Sequence, residues 1–211
     1  MSAAESAEAR VAEIEEMCRR LHPLAANRPS LALQINLSCP NVGLDPTHLL
    51  EEATSILSRA AAALVYERPL MLKLNALVPP ETAARIASHP LCDAIVCSNT
   101  IPWGTMPNRI GWKKIFGSET SPLAKYGGGG LSGAPLLPIV EDWVRGFRSA
   151  CATEGFVRPI VACGGILSEA CADRLLDAGA NAVELGSVSI LRPWRVQRIV
   201  DHVNERARRR V

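Results

Sequence analysis

Residues 31 to 46 read LALQINLSCPNVGLDP, and they join a buried strand to a polar loop and then to a helix. Five of the first seven positions are apolar, as in a strand that is covered on both faces. Four polar side chains then come within six residues: Asn36, Ser38, Cys39 and Asn41. Asp45 and Pro46 give an N-cap and first-turn signal for the helix that follows. The stretch therefore predicts a strand–helix unit that carries polar side chains at the end of its strand.

The same unit recurs along the chain. Apolar residues at helical spacing over residues 8–22 predict a helix before the first strand. Strands are predicted at residues 31–38, 69–76, 93–100, 158–165 and 181–190. Helices are predicted at residues 47–66, 80–89, 136–154, 169–179 and in the tail at 195–210. A polar and glycine-rich insertion from Ile101 to Gly133 interrupts this alternation.

Strands that are apolar on both faces and separated by helices indicate a parallel sheet, either open and doubly wound or closed into a (β/α) barrel. Two features favour the barrel: no G-x-G-x-x-G follows the first strand, and polar residues or glycines gather at the end of every strand. A closed barrel needs eight strands and typically about 250 residues. The prediction is therefore a single α/β domain over residues 1–211, an incomplete (β/α)8 barrel of the TIM type with about five of the eight strand–helix units.

Composition argues against several other classes of protein. The net charge is +2, and its surplus lies mostly in the tail, so a nucleic-acid-binding surface has little support. No apolar run approaches the roughly 20 residues of a membrane span. The acidic N-terminus lacks the pattern of a secretion signal, so a cytoplasmic protein is expected. The seven cysteines contain no C-x-x-C pair, which argues against a disulfide framework and a four-cysteine zinc site; no metal is expected.

The two glycine-containing loops near the C-terminus predict a site for a phosphate group. Gly164 and Gly165 lie between a strand and a helix, and Gly186 with Ser187 follows the next strand. Adjacent loops of this kind can turn several backbone N–H groups toward one anion. The alternative is that these glycines only make tight turns.

Six motifs in order show that the chain resembles the C-terminal part of the dihydroorotate dehydrogenase family, which are flavin-dependent barrel enzymes of pyrimidine synthesis. They are INLSCPN, LMLKLN, CSNT, GGLSG at residues 129–133, CGGI and ELGS. The resemblance covers nearly everything from Leu31 onward. The tryptophan-rich IPWGTMPNRIGWKK and Ser187, where a threonine is commoner, depart from the family pattern.

The resemblance implies an FMN-dependent oxidation of dihydroorotate to orotate, with Cys39 as the catalytic base that removes a proton while hydride passes to the flavin. A cysteine is chemically suitable, because a modest lowering of its pKa from about 8.5 gives a useful thiolate fraction near neutral pH. The positions that match substrate contacts are Asn36, Asn41, Asn99 and Thr100. The positions that match cofactor contacts are Lys73 beside the flavin ring, Ser132 and Gly133 near the flavin and its ribityl chain, and Gly164, Gly165, Gly186 and Ser187 at the phosphate.

Several alternatives stay open at the level of sequence. A cysteine base fits the cytosolic class 1 branch, either a fumarate-linked homodimer or a form that passes electrons to NAD through a partner subunit. The uracil-reducing domain of dihydropyrimidine dehydrogenases shares the NLSCP core, although it usually has histidine at the position of Asn41. The family's first three strands have no counterpart before Leu31, so a truncated fragment without catalytic activity is the third reading.

Overall fold

The structure is a computed structural model that describes residues 6–26, 28, 30–37, 46–64 and 68–209. The helices in these residues are α1 (Ala7–Ala26), α2 (Pro46–Ala63), α3 (Pro80–Ala87), α4 (Trp112–Phe116), α5 (Leu137–Thr153), α6 (Glu169–Asp177), α7 (Ser187–Leu191) and α8 (Val196–Arg208). The strands are β1 (Leu33–Asn36), β2 (Leu70–Leu74), β3 (Ala94–Cys97), β4 (Ile101–Pro102), β5 (Gly130–Leu131), β6 (Ile160–Cys163) and β7 (Ala182–Glu184). No helix in these ranges is long and apolar enough to cross a membrane.

Five of the strands form one sheet in the order β1-β2-β3-β6-β7. The pairs β1–β2 and β6–β7 are parallel, and a helix lies in the sequence between their two strands. Each of the five strands falls within a segment for which the sequence predicts a strand. The predicted alternation of strand and helix, with five strand–helix units, is therefore confirmed.

The contacts between residues divide the chain into two compact units. The first contains residues 1–74, 78–96 and 147–159, and the second contains residues 75–77, 97–146 and 160–211. The expectation of a single domain stays a prediction.

In the first unit, helix α1 packs against α2 through a buried ion pair. The Arg10 guanidinium donates from Nε to Glu52 Oε1 over 2.7 Å and from Nη2 to Glu52 Oε2 over 2.8 Å. Their side chains are only 10% and 4% exposed, so the two parallel hydrogen bonds offset the cost of burying both charges. Cys18 of α1 is fully buried, which agrees with its position on the predicted apolar face.

In the second unit, α6 is held at its start by a cap and along its length by charge pairs to α8. The Ser168 hydroxyl accepts a hydrogen bond from the Cys171 N–H, as expected of an N-cap residue. Asp173 of α6 accepts from His202 over 2.9 Å and from Arg206 over 2.6 Å, both on α8. Ile199 of α8 is fully buried, so the basic tail is a helix with one buried side chain and a charged outer surface.

The insertion at 101–133 contains a small hairpin and an aromatic cluster. Strands β4 and β5 pair antiparallel. The ring centroid of Trp103 lies 4.8 Å from that of Trp112 and 5.0 Å from that of Phe116. The indole N–H of Trp112 donates to the carbonyl of Thr105 over 2.9 Å. The segment therefore has its own local packing.

The prediction of one strand over residues 181–190 is wrong for its second half. Strand β7 ends at Glu184, and residues 187–191 form α7, in which the Arg192 N–H donates to the Val188 carbonyl. Val188 is fully buried, whereas Ile190 is 84% exposed. Val and Ile favour strands in general, but here burial of one side of a helical turn overrides that preference.

Candidate functional site

Ten of the twelve predicted site residues lie within the described residues. Cys39 and Asn41 lie outside the described residues, so the predicted base and one predicted substrate contact have no described geometry. The remaining ten lie at or close to the ends of strands.

In the first unit, Asn36 and Lys73 lie side by side. Asn36 is the last residue of β1 and pairs in register with Lys73 of β2. The Leu37 N–H donates to the Lys73 carbonyl over 2.9 Å, which continues the ladder one residue further. Both side chains are half-buried, whereas Leu72 and Leu74 on either side of Lys73 are fully buried. The structure thus places at neighbouring positions of the sheet the two residues that the sequence assigns to substrate and to cofactor.

In the second unit, residues 98–100 are fixed by hydrogen bonds from two neighbouring segments. The Ser98 N–H donates to the Cys163 carbonyl over 2.7 Å, so the end of β3 lies beside the end of β6. The Ala76 N–H donates to Ser98 Oγ over 2.9 Å. Asn75 donates from Nδ2 to the Thr100 carbonyl over 2.7 Å. These bonds hold the backbone that carries Asn99 and Thr100.

Neither Asn75 nor Ser98 was assigned a role from the sequence. Both belong to the quoted motifs LMLKLN and CSNT, and both follow apolar strands. Their position at strand ends was therefore a visible signal, but their hydrogen-bond partners are 22 and 25 residues distant in sequence. Only the fold shows which segments they connect.

The loop residues Gly133 and Ser187 lie close together in the second unit. A Cβ atom built on Gly133 would lie 4.0 Å from Ser187 Oγ and would meet no other atom at that distance or closer. A Cβ atom built on Gly186 would meet nothing within 4 Å. Ser132 and Gly186 are exposed. The backbone at Gly186 borders open space that a side chain would fill, whereas Gly133 is buried and has a φ of +87°. Backbone N–H groups with a hydroxyl are donors that suit an anionic group.

Gly164 and Gly165, in contrast, are required by packing. Their φ angles are +143° and +73°, a region that favours glycine. A Cβ atom on Gly165 would lie 2.5 Å from the backbone nitrogen of Leu137, and one on Gly164 would lie 3.0 Å from Val140 Cγ2. The close approach of this loop to the start of α5 is a sufficient reason for both glycines. Their assignment to a phosphate stays a prediction.

The six described cysteines are free thiols. Burial raises the pKa of Cys18 to about 11 and that of Cys92 to about 12. Such thiols remain protonated at neutral pH and pack as small apolar groups, as the sequence predicts for cysteines in apolar surroundings. Cys18 and Cys92 are therefore not candidates for a catalytic base.

Comparisons with known proteins agree with the residue pattern. The family model described as dihydroorotate dehydrogenase matches residues 2–207. A Porphyromonas gingivalis protein named dihydroorotate dehydrogenase B (NAD(+)), catalytic subunit, is 32% identical over 183 residues, which are 84% of this chain and 54% of that protein. A Thermodesulfovibrio yellowstonii protein of the same name is 30% identical over 182 residues, 82% of this chain and 54% of its own length.

Solved structures give the same fold. A crystal structure of DHODH from Eimeria tenella in complex with ferulenol has a TM-score of 0.68 to this chain at 23% identity, and the match covers 92% of this chain and 53% of that one. The strand–helix units are therefore those of an α/β barrel of the TIM type, present in part. The chain spans about half the length of the curated relatives it matches. Because the family model matches nearly all of the sequence, from residue 2 to residue 207, the chain belongs to the dihydroorotate dehydrogenase family.

Proposed function

We propose that this chain acts in the FMN-dependent oxidation of dihydroorotate to orotate, a step of de novo UMP synthesis. The observation that carries the proposal is the family match over residues 2–207. The family model and both relatives described above are dihydroorotate dehydrogenases, which favours this reaction over the reduction of uracil.

The residues of the second unit fit the phosphate end of FMN. Gly186 and Ser187 offer a backbone N–H group and a hydroxyl beside open space, and the proposed ligand is an anion. Gly164 and Gly165 are proposed to complete this phosphate site, and Ser132 and Gly133 to lie near the flavin and its ribityl chain. When bound, FMN would supply the acceptor for the hydride that leaves the substrate.

The proposed role of Lys73 is electrostatic. An ammonium group on a strand that is otherwise apolar would stabilise the negative charge that gathers on the flavin ring on reduction. Its register partner Asn36 is proposed to hydrogen-bond the substrate. An amide offers both a donor and an acceptor, which suits a ring edge on which carbonyl and N–H groups alternate.

Cys39 is proposed as the general base. Its thiolate would remove a proton from the dihydropyrimidine ring, and Asn41, Asn99 and Thr100 would hold the ring and its carboxylate in place. The chemistry needs a group with a pKa near the working pH, and a cysteine thiol with a slightly lowered pKa meets this requirement.

The electron acceptor and partner are proposed from the relatives. The two relatives described above are named as catalytic subunits of an NAD(+) enzyme, whereas a Solibacter usitatus protein that is 32% identical over 180 residues is named putative dihydroorotate dehydrogenase A (fumarate). A cytoplasmic complex with an electron-transfer subunit and a fumarate-linked homodimer are therefore both proposed.

Titration with flavins tests the cofactor assignment. We expect the purified protein to bind FMN more tightly than riboflavin, because riboflavin lacks the phosphate that the glycine loops are proposed to hold. Affinity is expected to be weak, since the chain spans about half the length of its relatives. Equal affinity for the two flavins would contradict the phosphate site.

Anaerobic mixing tests the reaction. Dihydroorotate should bleach the flavin of the FMN-loaded protein, whereas dihydrouracil should not; the reverse would favour the dihydropyrimidine dehydrogenase reading. The same assay is repeated on a fusion to the part of the Porphyromonas gingivalis relative that this chain does not match. If only the fusion bleaches, the residues of this chain can support the reaction but need the added part of the relative. If neither protein bleaches, the result favours a non-catalytic fragment.

A further inference from the structure

Asn75 uses both ends of its side-chain amide to join two loops of the second unit. Its Nδ2 donates to the Thr100 carbonyl over 2.7 Å, and its Oδ1 accepts from the Leu77 N–H over 3.0 Å. The first bond reaches the loop after β3, and the second fixes the amide in its own turn. Asn75 therefore acts as a rigid spacer between the two loops.

Strand β5 lies close to Thr100 on another side. A Cβ atom built on Gly130 would lie 2.7 Å from Thr100 Oγ1 and 2.8 Å from Thr100 Cβ. The backbone of Gly130 does not have a left-handed φ, so its conformation would accept a side chain. The main obstacle to a side chain at this position is the nearby Thr100. Thr100 thus lies between the amide of Asn75 on its carbonyl side and the bare backbone of Gly130 on its side-chain side.

The preceding residues are fixed as well. Ser98 is 3% exposed, and its hydroxyl accepts from the Ala76 N–H over 2.9 Å and donates to the Asn99 carbonyl over 2.8 Å. The turn at residues 75–77 therefore holds residues 98 and 100 by one hydrogen bond each, and Ser98 in turn holds the carbonyl of residue 99. Conformational freedom that would otherwise be lost on ligand binding is already lost in folding.

We propose that Asn75 is a positioning residue for a planar pyrimidine carboxylate: it holds Thr100, and through it orients the two polar side chains of residues 99 and 100 toward that ligand. The inference rests on the proposed function, which assigns these two side chains to the substrate. It adds a residue that makes no proposed contact with substrate or flavin.

Two substitutions disturb Thr100 from opposite sides. Asn75→Asp keeps the oxygen that accepts from Leu77 but replaces the Nδ2 donor by a carboxylate oxygen, which repels the Thr100 carbonyl. Gly130→Ala places a methyl group against the Thr100 side chain. Asn204→Asp makes the same chemical change as the first variant on the exposed surface of α8 and serves as the matched control.

Two measurements on the FMN-loaded chain decide the proposal. Amide hydrogen exchange of a peptide that spans residues 98–103 should be at least about fivefold faster in both variants than in the parent and the control. The dissociation constant of orotate should rise by about tenfold, which corresponds to the loss of one well-placed hydrogen bond, while that of FMN stays within twofold.

Different results would contradict the positioning role of Asn75 and the proposed function. Unchanged exchange in Asn75→Asp would overturn the positioning role, and so would faster exchange with unchanged orotate affinity. A parallel loss of FMN and orotate affinity would show a merely structural role and would overturn it as well. If the parent chain and the fusion described above both bind FMN but not orotate, the proposed function is contradicted, and the substrate role of Asn75 falls with it.

Discussion

The glycines of the candidate site differ in what a methyl group would do at each position. At Gly165 the methyl group would collide with the backbone of Leu137, and the backbone already has a left-handed φ. At Gly186 it would meet only open space. A glycine that the packing of the fold does not require is the better candidate for a ligand contact, because the space beside its backbone is free for the ligand to approach.

Alanine substitutions should separate these two reasons. Gly165→Ala should lower the free energy of unfolding by at least about 1–2 kcal/mol, the cost of a left-handed alanine, with the collision added. Gly186→Ala should leave stability within about 0.5 kcal/mol but weaken FMN binding by about tenfold or more, because the methyl group occupies the space proposed for the phosphate. Urea denaturation and fluorescence titration measure the two effects, and unaltered FMN affinity in Gly186→Ala would remove that residue from the site.

Cys39 is the residue on which the proposed chemistry depends most. In a protein that reduces its flavin with dihydroorotate, this chain or the fusion described above, Cys39→Ala should slow flavin reduction by about 10²- to 10⁴-fold and leave FMN affinity unchanged. Cys39→Ser should be nearly as slow at neutral pH, because a hydroxyl has a much higher pKa than a thiol and is barely ionised there. Its rate should recover as pH rises and the ionised fraction grows. Anaerobic stopped-flow at several pH values measures both rates. A Cys39→Ala rate within threefold of the parent would mean that another group is the base.

At the scale of elements, the sequence predicts the strands well because each is a short apolar run that ends at polar residues or glycine. Residues 69–76 and 158–165 are predicted as strands, and β2 and β6 lie within them. The prediction of a single strand over 181–190 fails beyond Glu184, because the packing that buries Val188 and exposes Ile190 depends on tertiary contacts. The bond from Asn75 to Thr100 is absent from the sequence prediction for the same reason.

The junction of α6 and α8 gives a pH dependence of stability. Partial burial alone would raise the pKa of Asp173, but hydrogen bonds from His202 and Arg206 outweigh it and hold that pKa below its usual value. A carboxyl whose pKa is lower in the folded than in the unfolded protein stabilises the fold above its unfolded pKa of about 3.9. This stabilisation is lost as pH falls through the folded pKa.

Asp173→Asn should therefore lower the free energy of unfolding at pH 7 by up to about 1 kcal/mol, since the ion pairs are partly exposed. The difference from the parent should shrink as pH falls below the unfolded pKa of about 3.9. Asp142→Asn is the control. Asp142 pairs with Arg109 and is more exposed than Asp173, so its loss should change stability by less than about 0.5 kcal/mol. Urea titrations at the two pH values test this, and a gap that widens in acid would refute the sign.

At the scale of the whole molecule, the chain exposes more apolar surface near its C-terminus than isolated surface residues would explain. Ile190, Leu191 and Trp194 fall within five residues and are 84%, 59% and 72% exposed. Strand β7 beside them is an edge of the described sheet. Grouped apolar side chains beside a strand edge favour association between molecules.

We expect the protein to self-associate at high concentration through this C-terminal patch. A double substitution, Ile190→Gln with Trp194→Gln, should shift the distribution toward monomer in sedimentation velocity. Val157→Gln is the control, because Val157 is 83% exposed but lies elsewhere in the sequence and in the other unit. An equal shift in the control would point to general surface hydrophobicity, and no shift in the double variant would exclude the patch.

The aromatic cluster of the insertion also has an optical consequence. Two indole rings with centroids 4.8 Å apart and planes inclined by 45° are close enough for their electronic transitions to couple. Such coupling gives paired bands of opposite sign in circular dichroism, which vanish when either ring is removed. Trp103 and Trp112 therefore make the insertion a chromophore of its own, so that its order can be followed while the helices are monitored separately.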